Sequence, residues 1–269
     1  MNAPTSLAAG IDALVLVHDE GAVRTITLNR PQALNSFTVP MHHALREALA
    51  QAAQTPSVRC VVLTGAGRAF CAGQDLAEIV SDSSPGVGDL VLELYKPLAL
   101  QVRQMPVPVV AAVNGVAAGA GANLALGCDI VLAAESASFI QAFAKIGLVP
   151  DCGGTWLLPR LVGRATALGL ALTADKLSAA QAQQMGLIWQ CVPDAELTGA
   201  AHALAARLAT LPTRALVATR LAMDGAQHLG LDAALSEEGR LQAALSSAHD
   251  YQEGVAAFLA KRAPVFKDR

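Results

Sequence analysis

Apolar and polar positions along the chain fall into two regimes. Up to about residue 200, short apolar runs alternate with helical patterns. Residues 13–18 (ALVLVH) and 22–28 (AVRTITL) are rich in β-branched residues and flank the polar Asp19-Glu20-Gly21, which predicts two strands around a turn. Thr38 is a cap with Pro40 in the first turn, and Met41, Leu45, Ala48, Leu49 and Ala52 recur at helical spacing. Residues 58–64 (VRCVVLT), 107–113 (VPVVAAV) and 128–133 read as buried strands, with a helix from about Ala120 leading into the last. Beyond about residue 200 strand signals stop. Residues 201–209, 213–228, 231–247 and 252–261 all read as helices. The expectation is an α/β core over 1–200 followed by a helical region over 201–269.

Composition narrows the class. Hydrophobic residues make up 53% of the 269 and charged residues 15%. Such a chain buries a large core and is not disordered. It has more apolar surface than one subunit hides, which predicts oligomerisation. A net charge of −3 gives no basic field for nucleic acid or an anionic membrane. Residues 104–128 carry no charge, but two prolines, two asparagines and four glycines fall there, so a buried strand, a turn and a helix are expected rather than a bilayer span. Residues 1–12 lack the charge and apolar run of a secretion signal and read as a loose tail. Five cysteines without a CxxC pair suggest reduced thiols and a cytoplasmic setting. No His/Cys/Asp group has the spacing of a metal site, so no metal is expected.

Two glycine-containing segments follow predicted strands: Gly65 to Leu76 (GAGRAFCAGQDL) and Asn114 to Asn123 (NGVAAGAGAN). Small residues let a ligand approach the backbone, and unpaired N–H groups at a helix start are anion donors. Neither segment fits the phosphate-loop or dinucleotide fingerprint.

In order along the chain, these segments resemble the crotonase (enoyl-CoA hydratase/isomerase) superfamily. The resemblance rests on Asn29–Ser36 (NRPQALNS), Arg68–Leu76, Asn114–Gly121, Pro150–Thr155 (PDCGGT), Leu158–Gly163 (LPRLVG), Leu177–Ala182 (LSAAQA), Gly186-Leu187 and Ala257–Arg262 (AFLAKR), and spans about residues 11–269. It implies a spiral of ββα units and C-terminal helices that build a homotrimer or hexamer. It implies an acyl-CoA substrate, whose thioester oxygen is held by the backbone N–H groups of Gln74 and Ala120, the latter aided by the positive end of the following helix. Such an oxyanion hole stabilises an enolate, and removing one donor costs about 3–4 kcal/mol of transition-state stabilisation. The family usually has glycine where Ala120 stands, so restricted backbone angles are expected there. CoA contacts fall on Ala33, Arg68, the Ala72 backbone and, from a neighbouring subunit, Lys261. CoA is part of the substrate, and no separate cofactor is implied.

Hydratases of this family place two glutamates across the double bond. The matching positions here are Asn123 and Phe143, and neither side chain is an acid or base. One carboxylate remains, Asp151, among Leu148, Val149, Pro150 and Gly153. Apolar surroundings raise an acid's pKa toward neutrality, which suits a proton shuttle. Isomerisation needs only that shuttle and the oxyanion hole. Residues 139–160 further resemble the ring-1,2-epoxyphenylacetyl-CoA isomerases of phenylacetate catabolism, which form oxepin-CoA and also shift 3,4-enoyl-CoA double bonds to the 2,3 position. Two alternatives stand beside this. One is a dehalogenase or hydrolase with Asp151 as nucleophile, although no histidine falls at that activity's position near Leu94. The other is a CoA-binding scaffold without turnover.

Overall fold

A computed structural model describes residues 13–80 and 86–269; the tail read in residues 1–12 lies outside the described residues. Strands β1 (Val15–Glu20) and β2 (Val23–Leu28) form an antiparallel hairpin. The turn is Gly21-Ala22, so the charged pair Asp19-Glu20 expected in the turn belongs to β1. Arg24 on β2 pairs with Asp19 across the hairpin at 2.7 Å, which keeps that end of the strand polar and regular.

Helix α1 (Val39–Gln54) buries Met41, His42, Leu45, Ala48, Leu49 and Ala52, the predicted stripe with one histidine added. The chain then repeats one unit. Strand β3 (Cys60–Gly65) is followed by the short β4 (Ala69–Cys71) and helices α2 (Leu76–Ile79), α3 (Val87–Leu90) and α4 (Lys96–Arg103), with one π-helical turn, Val91–Tyr95, before α4. Strand β5 (Val109–Val113) leads to β6 (Val116–Ala118) and α5 (Ala120–Leu126). Strand β7 (Ile130–Ala134) leads to β8 (Ser138–Ile140) and the long, kinked α6 (Gly154–Thr173). The first strand of each unit joins one sheet and the second joins another. The order is β1-β2-β3-β5-β7-β10 in the six-stranded sheet and β4-β6-β8-β9 in the four-stranded sheet, with β9 at Leu177–Ser178 and β10 at Gln190–Val192. This is the ββα spiral. Helix α7 (Ala179–Gln184) between those two strands is held by a capping box of Ser178 and Gln181.

The two sheets pass close to each other at the corners marked by Gly65 and Gly115. A Cβ on Gly115, between β5 and β6, would stand 2.1 Å from the Arg68 carbonyl, so only glycine fits there. Strands β5 and β3 are buried almost throughout, as parallel strands covered on both faces should be. The uncharged stretch 104–128 resolves into β5, β6 and α5, and among the described residues no helix is long and apolar enough to cross a membrane.

Helix α8 (Leu197–Ala209) packs Leu197, Ala201, Ala205 and Ala209 onto the large sheet. Helices α9 (Thr213–Ala226), α10 (Leu231–Ser246) and α11 (His249–Leu259) follow. They bury little within one chain: α10 buries nothing, and Leu231, Leu235, Phe258 and Leu259 are exposed.

Candidate active site

Strands β4, β6 and β8 are adjacent and parallel, so their C-terminal ends lie side by side. The chain leaves them as the segments 72–74, 119–120 and 141–151, and all three line one cavity of about 190 Å³. Open sheets of parallel strands place ligands at this edge, because successive connections diverge there.

Segment 72–74 is pinned from behind. Ala72 N–H donates to the Leu34 carbonyl at 3.0 Å, Phe37 N–H to the Gly73 carbonyl at 2.7 Å, and Asp75 N–H to the Phe37 carbonyl at 2.8 Å. These bonds use the groups on either side of Gln74 and leave its own N–H facing away from Phe37. Gly73 has φ +93°, which turns the chain at that point. A Cβ there would lie 3.0 Å from the Ala118 carbonyl and 3.5 Å from the Ala120 nitrogen, so the two predicted donor segments touch. On the other side Gly119, at φ 52° and ψ −128°, redirects β6 into α5. Ala120 is thereby the first residue of α5 and lies outside the left-handed region, so the alanine carries no backbone penalty. Among the described residues neither the Gln74 nor the Ala120 N–H donates a hydrogen bond. Helix α5 spans only seven residues, so the amide itself matters more than a long helix dipole.

The loop that pins this wall is built from the NRPQALNS run. Leu34 and Asn35 both adopt positive φ. The buried Asn35 amide holds them there, donating to the Ala66 and Ala69 carbonyls at 2.9 and 2.8 Å and accepting from Arg30 N–H at 2.8 Å. Arg30 reaches the Ser36 carbonyl at 2.6 Å and the Asp75 carboxylate at 2.9 Å. Arg30 thus lowers the Asp75 pKa.

Asp151 enters the cavity from the far side. Its pKa is pushed up to about 6 by burial, which its own backbone hydrogen bond only partly offsets. Its Oδ1 is buried with no hydrogen-bond partner, so nothing within the protein satisfies that atom. The Asp151 backbone is held firmly. Its carbonyl accepts from Gly154 N–H and from Asn123 Nδ2, both at 2.8 Å. Asn123 Oδ1 in turn accepts from Gln141 Nε2 at 2.9 Å. Asn123 is fully buried, so the residue at the position of a hydratase glutamate is a brace behind Asp151. Phe143, at the other such position, is buried with its ring against Gly119 and lines the cavity.

The rest of the lining is apolar: Leu76, Ile79, Val87, Leu90, Val91, Ile146 and Leu148, with Tyr95 at the back. Among the described residues Lys145 is the one cation on the lining, and it is exposed. Of the residues assigned to CoA, Ala72 lines this cavity. Ala33 ends a short 3-10 turn, Pro31–Ala33, and is half-buried, and Arg68 is exposed. Lys261 lies exposed past the end of α11 and does not line the cavity within one chain.

Sequence spacing missed three features. Tyr95 and Gln141 join the site through tertiary contacts 21 and 18 residues away from their partners, which no local pattern encodes. The third is a group of His249, Asp250 and Asp268 near the C-terminus. There the Asp250 oxygens accept from the Lys267 and Asp268 amides at 2.7 and 3.1 Å, and His249 lies 3.0 Å away, so the carboxylate clasps the chain end.

With this geometry in hand, comparison with known proteins decides the family. The sequence pattern of the enoyl-CoA hydratase/isomerase family matches residues 18–269. The chain belongs to that family. It is 52% identical over 255 residues to the 1,2-epoxyphenylacetyl-CoA isomerase of Escherichia coli (strain K12), covering 94% of this chain and 97% of that one. It is 48% identical to a protein of Rhodobacter capsulatus named as a probable enoyl-CoA hydratase, covering 91% and 94%. A crystal structure of enoyl-CoA hydratase from Bacillus anthracis superposes with a TM-score of 0.88 at 33% identity, covering 95% of this chain and all of that one. The family members to which the chain is similar thus include both isomerases and hydratases.

Proposed function

We propose that this enzyme is an acyl-CoA isomerase that moves a proton on the acyl chain and adds no water. The reading rests on one observation: a half-buried carboxylate, its pKa pushed up to about 6 by burial and the one carboxylate among the described residues lining the cavity, shares that cavity with two unpaired backbone amides. The thioester oxygen lies between the Gln74 and Ala120 amides. Asp151 takes a proton from the carbon next to the thioester. The electron pair moves onto that oxygen and forms an enolate, and Asp151 returns the proton to a more distant carbon. An acid near pH 6 can do both, because neither its charged nor its neutral form is strongly favoured at neutrality. Asn123 and Phe143 supply no second acid or base to activate water.

The substrate that best fits is ring-1,2-epoxyphenylacetyl-CoA, isomerised to oxepin-CoA. The ring C–C bond between the two epoxide carbons breaks, its electrons forming ring double bonds, and the same proton shift moves a proton from the carbon next to the thioester to a ring carbon. The 3,4- to 2,3-enoyl-CoA shift is a second activity. The similarity to the E. coli isomerase supports the ring substrate, and the aliphatic and aromatic lining supports an uncharged acyl group. Ala33, Arg68 and the Ala72 backbone hold the CoA, with Lys261 from a neighbouring subunit. Exposed leucines and Phe258 on α10 and α11 favour a homotrimer or hexamer that covers them, acting in the cytoplasm. A nucleophilic role for Asp151 is disfavoured because, among the described residues, no histidine lines the cavity. His42 lies behind the wall, with its pKa lowered to about 4 by burial.

The test is product mass. The epoxyphenylacetyl thioester is offered to the enzyme in ¹⁸O-water. The reading requires a product of unchanged mass with no ¹⁸O, whereas gain of one water would make the enzyme a hydratase or hydrolase.

A further inference from the structure

The Gln74 amide has a support that the proton shuttle does not use. Tyr95 Oη lies 2.8 Å from Gln74 Oε1, and Gln74 Nε2 lies 3.0 Å from Glu78 Oε2. The Glu78 carboxylate also accepts the Val39 N–H at 3.1 and 3.2 Å. The polarity of this chain is forced. A carboxylate only accepts, so Gln74 must turn its NH₂ toward Glu78 and its carbonyl toward Tyr95. Tyr95 must then be the donor. Its single O–H is committed to Gln74 even though its ring lines the cavity.

The ring itself is fixed. Tyr95 is 1% exposed and ends the π-helical turn, a feature often found at functional sites. Its ring stands edge-on to His42 at 4.4 Å and to Phe37 at 5.9 Å. Phe37 is the residue whose backbone brackets Gln74 through Gly73 and Asp75. One aromatic cluster therefore grips the Gln74 backbone from behind, and the tyrosine hydroxyl grips its side chain.

We infer that Tyr95 is a positioning residue for the Gln74 amide, locking the side chain so that the backbone N–H keeps its aim at the substrate oxygen. This rests on the proposed role of the Gln74 amide as a thioester-oxygen donor. Tyr95 transfers no proton to substrate. It acts through Gln74, and its loss lowers enolate stabilisation without weakening the grip on CoA.

The test compares the full-length wild type with Tyr95→Phe, Gln74→Met and the double variant. Tyr95→Phe keeps the ring and Gln74→Met keeps the backbone N–H. Bound acetoacetyl-CoA reports the oxyanion hole directly through the near-ultraviolet absorption of its enolate. The expected result is an enolate fraction and a kcat about tenfold lower in each single variant, with KM for a 3-enoyl-CoA unchanged. The double variant is expected to be no worse than either single one, since both remove the same bond. Wild-type enolate binding in Tyr95→Phe overturns the inference, and so do losses that multiply in the double variant. If the wild type binds the enolate but turns over no enoyl-CoA, the isomerase reading fails while the positioning result still stands on the spectra.

Discussion

Replacing Asp151 by asparagine should stabilise the protein at neutral pH while abolishing its chemistry. The carboxyl pKa rises from 3.8 to about 6 on folding because burial disfavours the charge. The folded state therefore binds this proton more tightly than the unfolded chain. Stability from this group is fully present below about pH 4 and is lost as pH climbs toward 6. At about 1.4 kcal/mol per pH unit, the ionised group costs about 3 kcal/mol at pH 7.5, falling to about 1 kcal/mol at pH 4.5. Asparagine has nearly the same shape and pays nothing for charge. Any packing difference it brings is the same at both pH values, so the pH dependence isolates the electrostatic cost. Urea unfolding of wild type and Asp151→Asn at the two pH values measures it. The stability advantage of the variant should be about 2 kcal/mol larger at pH 7.5. An advantage independent of pH, or one that grows toward acid, would refute the claim that Asp151 is held charged against burial.

Three other expectations follow from the same geometry. Because Asp151 must be ionised to accept a proton, kcat/KM should rise tenfold per pH unit below about pH 6 and level off above it, and a profile flat from pH 5 to 8 would exclude the role. Asn123→Leu strips the amide that braces the Asp151 carbonyl and Gln141; it should cost about 2 kcal/mol in urea unfolding and more than tenfold in kcat. Gly73→Ala puts a side chain at φ +93° and 3.0 Å from the Ala118 carbonyl, so the two donor segments must part; kcat should fall by more than tenfold while calorimetry still detects CoA binding.

Much of this was legible in the sequence, where a pattern had room to show. Strands β3, β5 and β7 are apolar runs flanked by helices, and they appear within a few residues of where they were expected. Helix α1 appears with its predicted buried face. The small sheet was not legible. Strands β4, β6 and β8 have three residues each, too few for any alternation, and β4 and β6 hide inside the two glycine-containing segments that follow the predicted strands. Those strands nevertheless form the edge of the candidate site, because their ends bring residues 74, 120 and 151 to one cavity. Asp151 stood out as the lone acid in an apolar run. Asn123 could be read only as a missing glutamate, since its partners, the Asp151 carbonyl and Gln141, are set by the fold. Tyr95 gave no signal, because a tyrosine in a helical stretch looks like core until its hydroxyl is seen on Gln74.

The most direct test of the central claim is the double-bond shift itself. Purified enzyme is mixed with a 3-enoyl-CoA, and the conjugated 2-enoyl-CoA is followed by absorbance, with Asp151→Asn measured alongside and CoA binding checked for both. Asp151 as the proton shuttle predicts that the wild type isomerises and that the variant loses at least a hundredfold in kcat while binding CoA as before. A variant with full activity would contradict it.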